Sequence, residues 1–167
     1  MKKLIILIIV VILGSCSKAA ETRMDPISLS VISGTSLWNR ITAEADYKTY
    51  SYWPGHEGIQ PGQAPHGVYH QIYINRVLAG MLPIKSRTAA NGTIIVKENF
   101  TNEKILDSIT VMAKVKDYNP GAGDWFWAKY SPEGDVQAEG TPGGCISCHE
   151  GMEDNDYIIV RMLDTEL

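Results

Sequence analysis

The residues Cys145-Ile146-Ser147-Cys148-His149 read C-x-x-C-H. Two thiols separated by two residues can each add to one vinyl group of the same porphyrin, and the histidine that follows can bind the iron from one face. The spacing therefore predicts a c-type haem, one per chain and covalently attached, held by Cys145 and Cys148 with His149 as the axial iron ligand. A redox C-x-x-C pair, half a zinc site and a structural disulfide are the competing readings, and the adjacent histidine argues against each. A zinc site would also need a second Cys/His pair, and the one further cysteine is Cys16.

What His149 faces across the iron decides the chemistry. The sixth position is either open or filled by His56, His66, His70, Met112 or Met152. A strong ligand there gives a low-spin electron carrier, whereas an open position binds diatomic gases or reacts. His70, flanked by apolar same-face neighbours, reads equally as a hydrogen-bonded core histidine, and His66 beside Gly67 reads as a loop-fixing residue. Trp53, Phe100, Phe126 and Trp127 are candidate pocket walls, with ordinary core packing as the alternative. An open or weakly occupied position is expected.

The attachment chemistry needs an exported chain, and the N-terminus supplies the signal. Lys2 and Lys3 precede an apolar run from Leu4 to Leu13, followed by Gly14-Ser15-Cys16. The run is too short to span a bilayer as a permanent helix and leads directly into small residues, so residues 1–15 read as a signal peptide. Residues 13–16 resemble a bacterial lipobox, which makes Cys16 the lipidated first residue of the mature chain. Several acyl chains on one cysteine anchor firmly. Residues 16–33 then form a lipidated tether and 34–167 a haem domain, placed at the bacterial cell envelope and facing the periplasm or the outside. The chain carries 15 basic against 19 acidic residues, net −4, and losing Lys2 and Lys3 makes it more acidic. That argues against a nucleic-acid partner.

The elements that must position the motif follow from periodicity. Leu37, Ile41 and Ala45 predict a helix over 36–52, with Ser36 as its cap. Prolines and glycines make 54–67 an ordered loop carrying His56 and His66. Strands are predicted over 68–75, 93–100, 108–116, 124–130 and 136–139, with a helical turn over 77–82 and a short terminal strand over 157–162. In 108–116, Ile109, Val111, Ala113 and Val115 point inward and Thr110, Lys114 and Lys116 outward; in 124–130, Trp125 and Trp127 share a face. The result is a mainly β (α+β) fold: an antiparallel sheet with one N-terminal helix and short helical turns, the haem carried by the C-terminal segment.

Several stretches together resemble one family, cytochrome P-460 and the related cytochromes c′-beta. They are Tyr50 to Trp53, His66-Gly67, Tyr73 and Asn75, Gly92-Thr93 with Val96-Lys97-Glu98, Thr110 to Lys114, Asp124 to Trp127 and the terminal C-x-x-C-H. The resemblance spans roughly residues 36–162. It implies a homodimer of antiparallel sheets, one covalent haem per subunit and a gas or small-substrate pocket opposite the axial histidine. In the P-460 branch a lysine is cross-linked to the porphyrin and hydroxylamine is oxidised; in the c′-beta branch there is no cross-link, and nitric oxide or carbon monoxide binds in an apolar pocket. The cross-linking lysine of the first branch lies shortly after the segment that is Tyr73-Ile74-Asn75 here, where this chain has Val77, Leu78, Ala79 and Gly80. Its next lysine is Lys85, and Lys97 follows in a strand where a solvated face is the plainer reading. Glu139 is the candidate for the proton-moving carboxylate of the enzymatic branch, or else a surface acid. The expectation is a membrane-anchored haem protein that binds nitric oxide or a related small nitrogen species and exchanges electrons with an unidentified redox partner. A hydroxylamine-oxidising enzyme and a six-coordinate electron-transfer cytochrome are the alternatives.

Overall fold

A computed structural model describes residues 32–166; the signal peptide, Cys16 and most of the tether lie outside those residues. Among the described residues seven strands make one antiparallel sheet: β1 (Ser51–Tyr52), β2 (Gln60–Pro61), β3 (Tyr69–Ile74), β4 (Ile94–Phe100), β5 (Leu106–Lys114), β6 (Trp125–Tyr130) and β7 (Val136–Gly140). Their order is β1-β3-β4-β5-β6-β7, with β2 pairing alongside β1 on β3. The mainly β expectation holds. Alternating apolar residues form the long strands, and Asn91-Gly92 turns the chain into β4 with Gly92 at φ 86°, a region that favours glycine.

Both faces of this sheet are covered. On one, Leu37, Ile41 and Tyr47 pack against Tyr73, Ile94, Val96, Ile109, Val111, Phe126 and Tyr130. On the other, Ile72, Ile74, Ile95, Trp125 and Trp127 meet Leu78, Ile84, Tyr157, Ile158 and Leu163. This corrects the outward orientation expected for Thr110 and Lys114. Alternation is right, but the side opposite Ile109, Val111 and Ala113 is a second interior: Lys114 is 7% exposed and Thr110 lines a cavity. Lys116, past the strand end, is exposed as expected.

The helix expected over 36–52 is broken into pieces. The first, α1 (Gly34–Asn39), is capped by Ser33 rather than Ser36, the two exchanging bonds as a capping box. A π-helical turn, Arg40–Glu44, follows, and the chain leaves helical geometry at Ala45, φ −151°. Asp46 then caps a single 3-10 turn, Tyr47–Thr49. Asp46 competes for backbone donors at the point where a longer helix would continue, so the helix ends there. A second helix, α2 (Arg76–Ala79), is capped by Asn75 and matches the expected turn.

The terminal strand expected over 157–162 is absent among the described elements. Tyr157 and Ile158 are buried instead in an irregular segment wrapped around Asn155, while Ile159 is exposed. The Asn155 carboxamide donates to the Ile158 and Arg161 carbonyls, at 2.7 and 2.9 Å, and accepts from Leu163 N at 2.7 Å. One buried side chain thus supplies the partners that a strand ladder would have supplied.

Candidate functional site

The C-x-x-C-H motif forms most of α3 (Gly143–His149). On a helix, positions three and four apart share a face, so Cys145, Cys148 and His149 present together, and all three line one cavity of about 410 Å3. Cys145 and Cys148 are not bonded to each other, and burial pushes the Cys145 thiol up from its ordinary value. The sheet forms the opposite wall. Register places Ile72, Lys97 and Thr110 in one row across β3, β4 and β5, with Ile95, Met112 and Trp127 in the next, and all six line the cavity. The loop 61–66 and residues 158–160 close its sides.

His149 is held by two neighbours. Its Nδ1 donates to the Tyr157 carbonyl at 2.7 Å, since a carbonyl only accepts, and Trp127 lies edge to face at 4.7 Å between ring centres. The proton on Nδ1 leaves the Nε2 lone pair free for a metal, the arrangement by which an outer partner fixes a ligand's tautomer and angle. Burial lowers the His149 pKa, with Lys97 acting in the same sense.

The Tyr157 carbonyl is positioned by a buried ion pair that the sequence does not announce. Asp156 Oδ1 accepts from Lys114 Nζ at 2.5 Å, and its Oδ2 accepts from Ala89 N at 2.7 Å. The Asp156 carbonyl accepts from Trp125 Nε1 at 2.8 Å, and Lys114 Nζ lies 4.9 Å from the centre of the Trp125 ring. Burial pushes the Asp156 carboxyl up, and Lys114 opposes it.

The expected distal residues separate clearly. Trp53 and Trp127 line the cavity, whereas Phe126 packs in the core on the other face of the sheet and neither Phe100 nor Met152 is among the lining residues. Met112, His56, His66 and His70 all line it. Lys97 lines it as well, correcting the solvated reading, and burial holds its amine down at about 8. Lys85 does not approach the cavity and instead pairs with Glu166 at 2.7 Å, both side chains exposed. Glu139 does not line it either. Its Oε2 accepts from Gly34 N at the start of α1, so it ties that helix to β7.

The polar atoms of the wall fit a bound group. His70 is 8% exposed, and both its ring nitrogens, His56 Nδ1 and Trp127 Nε1 are buried without a hydrogen-bond partner among the described residues. Burial, with Lys97 next, brings the His66 and His70 pKa values down to about 4, so both imidazoles are neutral at pH 7. No set of three or more His, Cys, Asp or Glu among the described residues is arranged to hold a bare metal ion. Two thiols on one helical face, a free Nε2 and a largely apolar cavity between α3 and the sheet suit a haem.

His66 owes its place to Gly67, at φ 81°, where an added Cβ would lie 2.6 Å from the Phe100 carbonyl. Gly67→Ala is therefore expected to lower stability by about 1–3 kcal/mol and to shift the loop over the cavity. Thermal unfolding together with the protein's absorption spectrum checks it; a variant with unchanged melting would remove the strain argument.

Residues 45–160 match the model of the Cytochrome P460 family, a match that implies haem binding. No curated protein matches the chain.

Proposed function

The chain belongs to the cytochrome P460 family, and on that premise we propose that it is a membrane-anchored c-type cytochrome that binds nitric oxide or a related small nitrogen species. Cys145 and Cys148 carry one covalent haem, and His149 is its axial ligand. When bound, the haem supplies an iron that can hold a diatomic nitrogen ligand and change oxidation state. The observation that carries the reading is the His149–Tyr157 bond, which turns Nε2 toward a cavity walled by Ile72, Ile95, Met112 and Trp127. These walls exclude water and select a small, weakly polar ligand, while Lys97 and Thr110 offer the polar contacts on the sheet side. Cys16 anchors the mature chain at the bacterial envelope, and two copies form a homodimer. Among the described residues no helix is long and apolar enough to cross a membrane.

The test is titration of the reduced protein with nitric oxide, followed by absorption. Stoichiometric binding supports the reading; a spectrum indifferent to nitric oxide removes it.

Lys97 favours a second reading, a hydroxylamine-oxidising enzyme with a lysine-linked haem. An amine held at about 8 is about a tenth neutral near pH 7, and only the neutral form is nucleophilic. Mass spectrometry of the haem peptide decides between them. A third covalent link, lost in Lys97→Met, is the outcome the second reading requires; a haem held through Cys145 and Cys148 alone leaves the first.

A further inference from the structure

We infer that His56 and His70 bind a haem propionate, the two imidazoles donating hydrogen bonds to its carboxylate at the end of the cavity away from Cys145 and Cys148. The inference rests on the covalent haem proposed above and goes beyond it by naming the residues that hold the opposite edge of the porphyrin.

Sheet order sets where that edge falls. The helix α3 follows β7, which pairs with β6, and His149 meets Trp127 of β6 at 4.7 Å between ring centres. The two cysteines therefore stand at the β6 end of the cavity. Thioether bonds form at the vinyl groups, and the two propionates of a haem hang from the pyrroles opposite the two that carry vinyls. Neighbouring strands lie about 4.8 Å apart, so β3 stands roughly 14 Å from β6, across β4 and β5. A porphyrin tied down at β6 thus extends its propionate edge toward β3.

Both imidazoles are fixed at that end. His70 lies on β3, opposite Gln60 of β2. His56 is fastened to the same strand: its N–H donates to the Trp53 carbonyl at 2.8 Å, and the Trp53 N–H donates to the Ile72 carbonyl at 2.9 Å. The two rings stack with centres 5.9 Å apart and planes at 26°, and both line the cavity. Their chemistry calls for an acceptor. His70 is 8% exposed, yet neither of its ring nitrogens, nor His56 Nδ1, has a partner among the described residues. Buried polar atoms are nearly always paired, and an imidazole has at least one N–H to give in either protonation state. Two imidazoles side by side match the two oxygens of one carboxylate. Lys97 lines the cavity and no Asp or Glu does among the described residues, so an entering carboxylate meets no like charge there. The two imidazoles serve this role under either reading of Lys97.

The experiment is resonance Raman spectroscopy of the reduced full-length holoprotein and of its carbon monoxide complex, on the unmodified chain, His56→Ala, His70→Ala, the double variant and His70→Gln. The propionate bending band reports hydrogen bonds to the carboxylate, and the iron–carbon stretch reports donors to a ligand on the iron. The expected result is a propionate band that shifts in each alanine variant, furthest in the double variant, and stays near its original position in His70→Gln, which keeps an N–H donor. The iron–carbon stretch should hold its position throughout. The reduction potential should fall in the alanine variants, because a carboxylate stripped of its donors concentrates negative charge near the iron and favours the ferric state. His56 is only partly buried, so His56→Ala tests the pair without disturbing β3. A propionate band unmoved in His56→Ala and in the double variant overturns the inference. An iron–carbon stretch that moves while the propionate band stays also overturns it, placing the imidazoles beside the iron-bound ligand instead. If nitric oxide still binds a haem held by Cys145 and Cys148 in those cases, the propionate assignment fails while the proposed function stands; a chain that carries no covalent haem overturns both.

Discussion

Replacing His149 with glycine is expected to leave the haem attached through Cys145 and Cys148 but to strip the iron of its protein ligand on the α3 side. Cys145, Cys148 and His149 share one helical face, yet only the histidine offers a nitrogen fixed in direction, through its 2.7 Å bond to the Tyr157 carbonyl. Removing a partner of a metal ligand commonly costs about 10–100-fold in affinity or activity. Removing the ligand itself should change the absorption of the reduced iron outright. Added imidazole, entering the space the side chain leaves, should restore most of the spectrum. The measurement is absorption of the reduced variant with and without imidazole, together with a covalent haem assay. An unmodified spectrum in His149→Gly would show that the iron takes its ligand elsewhere, and the assignment of α3 as the proximal element would fail.

The second large effect lies behind that histidine. Asp156→Asn keeps an acceptor for Ala89 N and suits the left-handed backbone at this position, φ 56°, where asparagine is tolerated. It nonetheless leaves the Lys114 ammonium buried without its counter-charge. Breaking one member of a buried pair costs about 3–5 kcal/mol, and a domain of this size loses several degrees of melting temperature per kcal/mol, so a fall of roughly 10–20 °C is expected. Lys114→Met added to Asp156→Asn should recover much of it, since an apolar replacement of the whole pair is often near neutral. The single variant should also alter the haem spectrum, because Tyr157 follows Asp156 directly and its carbonyl orients His149. Calorimetry of the unmodified protein and the two variants checks this; a double variant no more stable than Asp156→Asn would mean the pair is not what holds the segment.

Much of the sheet was legible because its strands alternate. Ile94 and Val96 against Ile95 and Lys97, and Trp125 and Trp127 against Phe126 and Ala128, fall on the faces their parity assigns. Parity does not say what covers each face, and that is why Lys97, Thr110 and Lys114 read as solvated. In a sheet buried on both sides a lysine can be a cavity wall, as Lys97 is, or half of an ion pair, as Lys114 is. With the register in hand, the row of Ile95, Met112 and Trp127 beside Lys97 was the available signal for the cavity.

The irregular parts were not legible, for physical reasons. Asp46 and Asn155 redirect the backbone through side-chain hydrogen bonds, and their residue types permit this without requiring it. The pairing of Lys114 with Asp156 joins positions 42 residues apart, which no local pattern encodes. Glu98 is a further case: it is 4% exposed on the face away from the cavity, accepting from Tyr47 and Tyr73 hydroxyls at 2.7 and 3.3 Å. Its neighbour Lys97 points the other way, so two adjacent charged residues serve two different interiors. The C-x-x-C-H spacing, by contrast, stood in the sequence itself, because Cys145, Cys148 and His149 are local to one another.

The most direct test of the account is the absorption spectrum of the purified full-length protein, oxidised and reduced, before and after one equivalent of nitric oxide. The expected result is one covalently bound haem per chain with the band pattern of a c-type cytochrome, and a shift of the main band that saturates at one nitric oxide per haem. A haem that extracts into organic solvent, or a reduced spectrum that nitric oxide leaves unchanged, would contradict it.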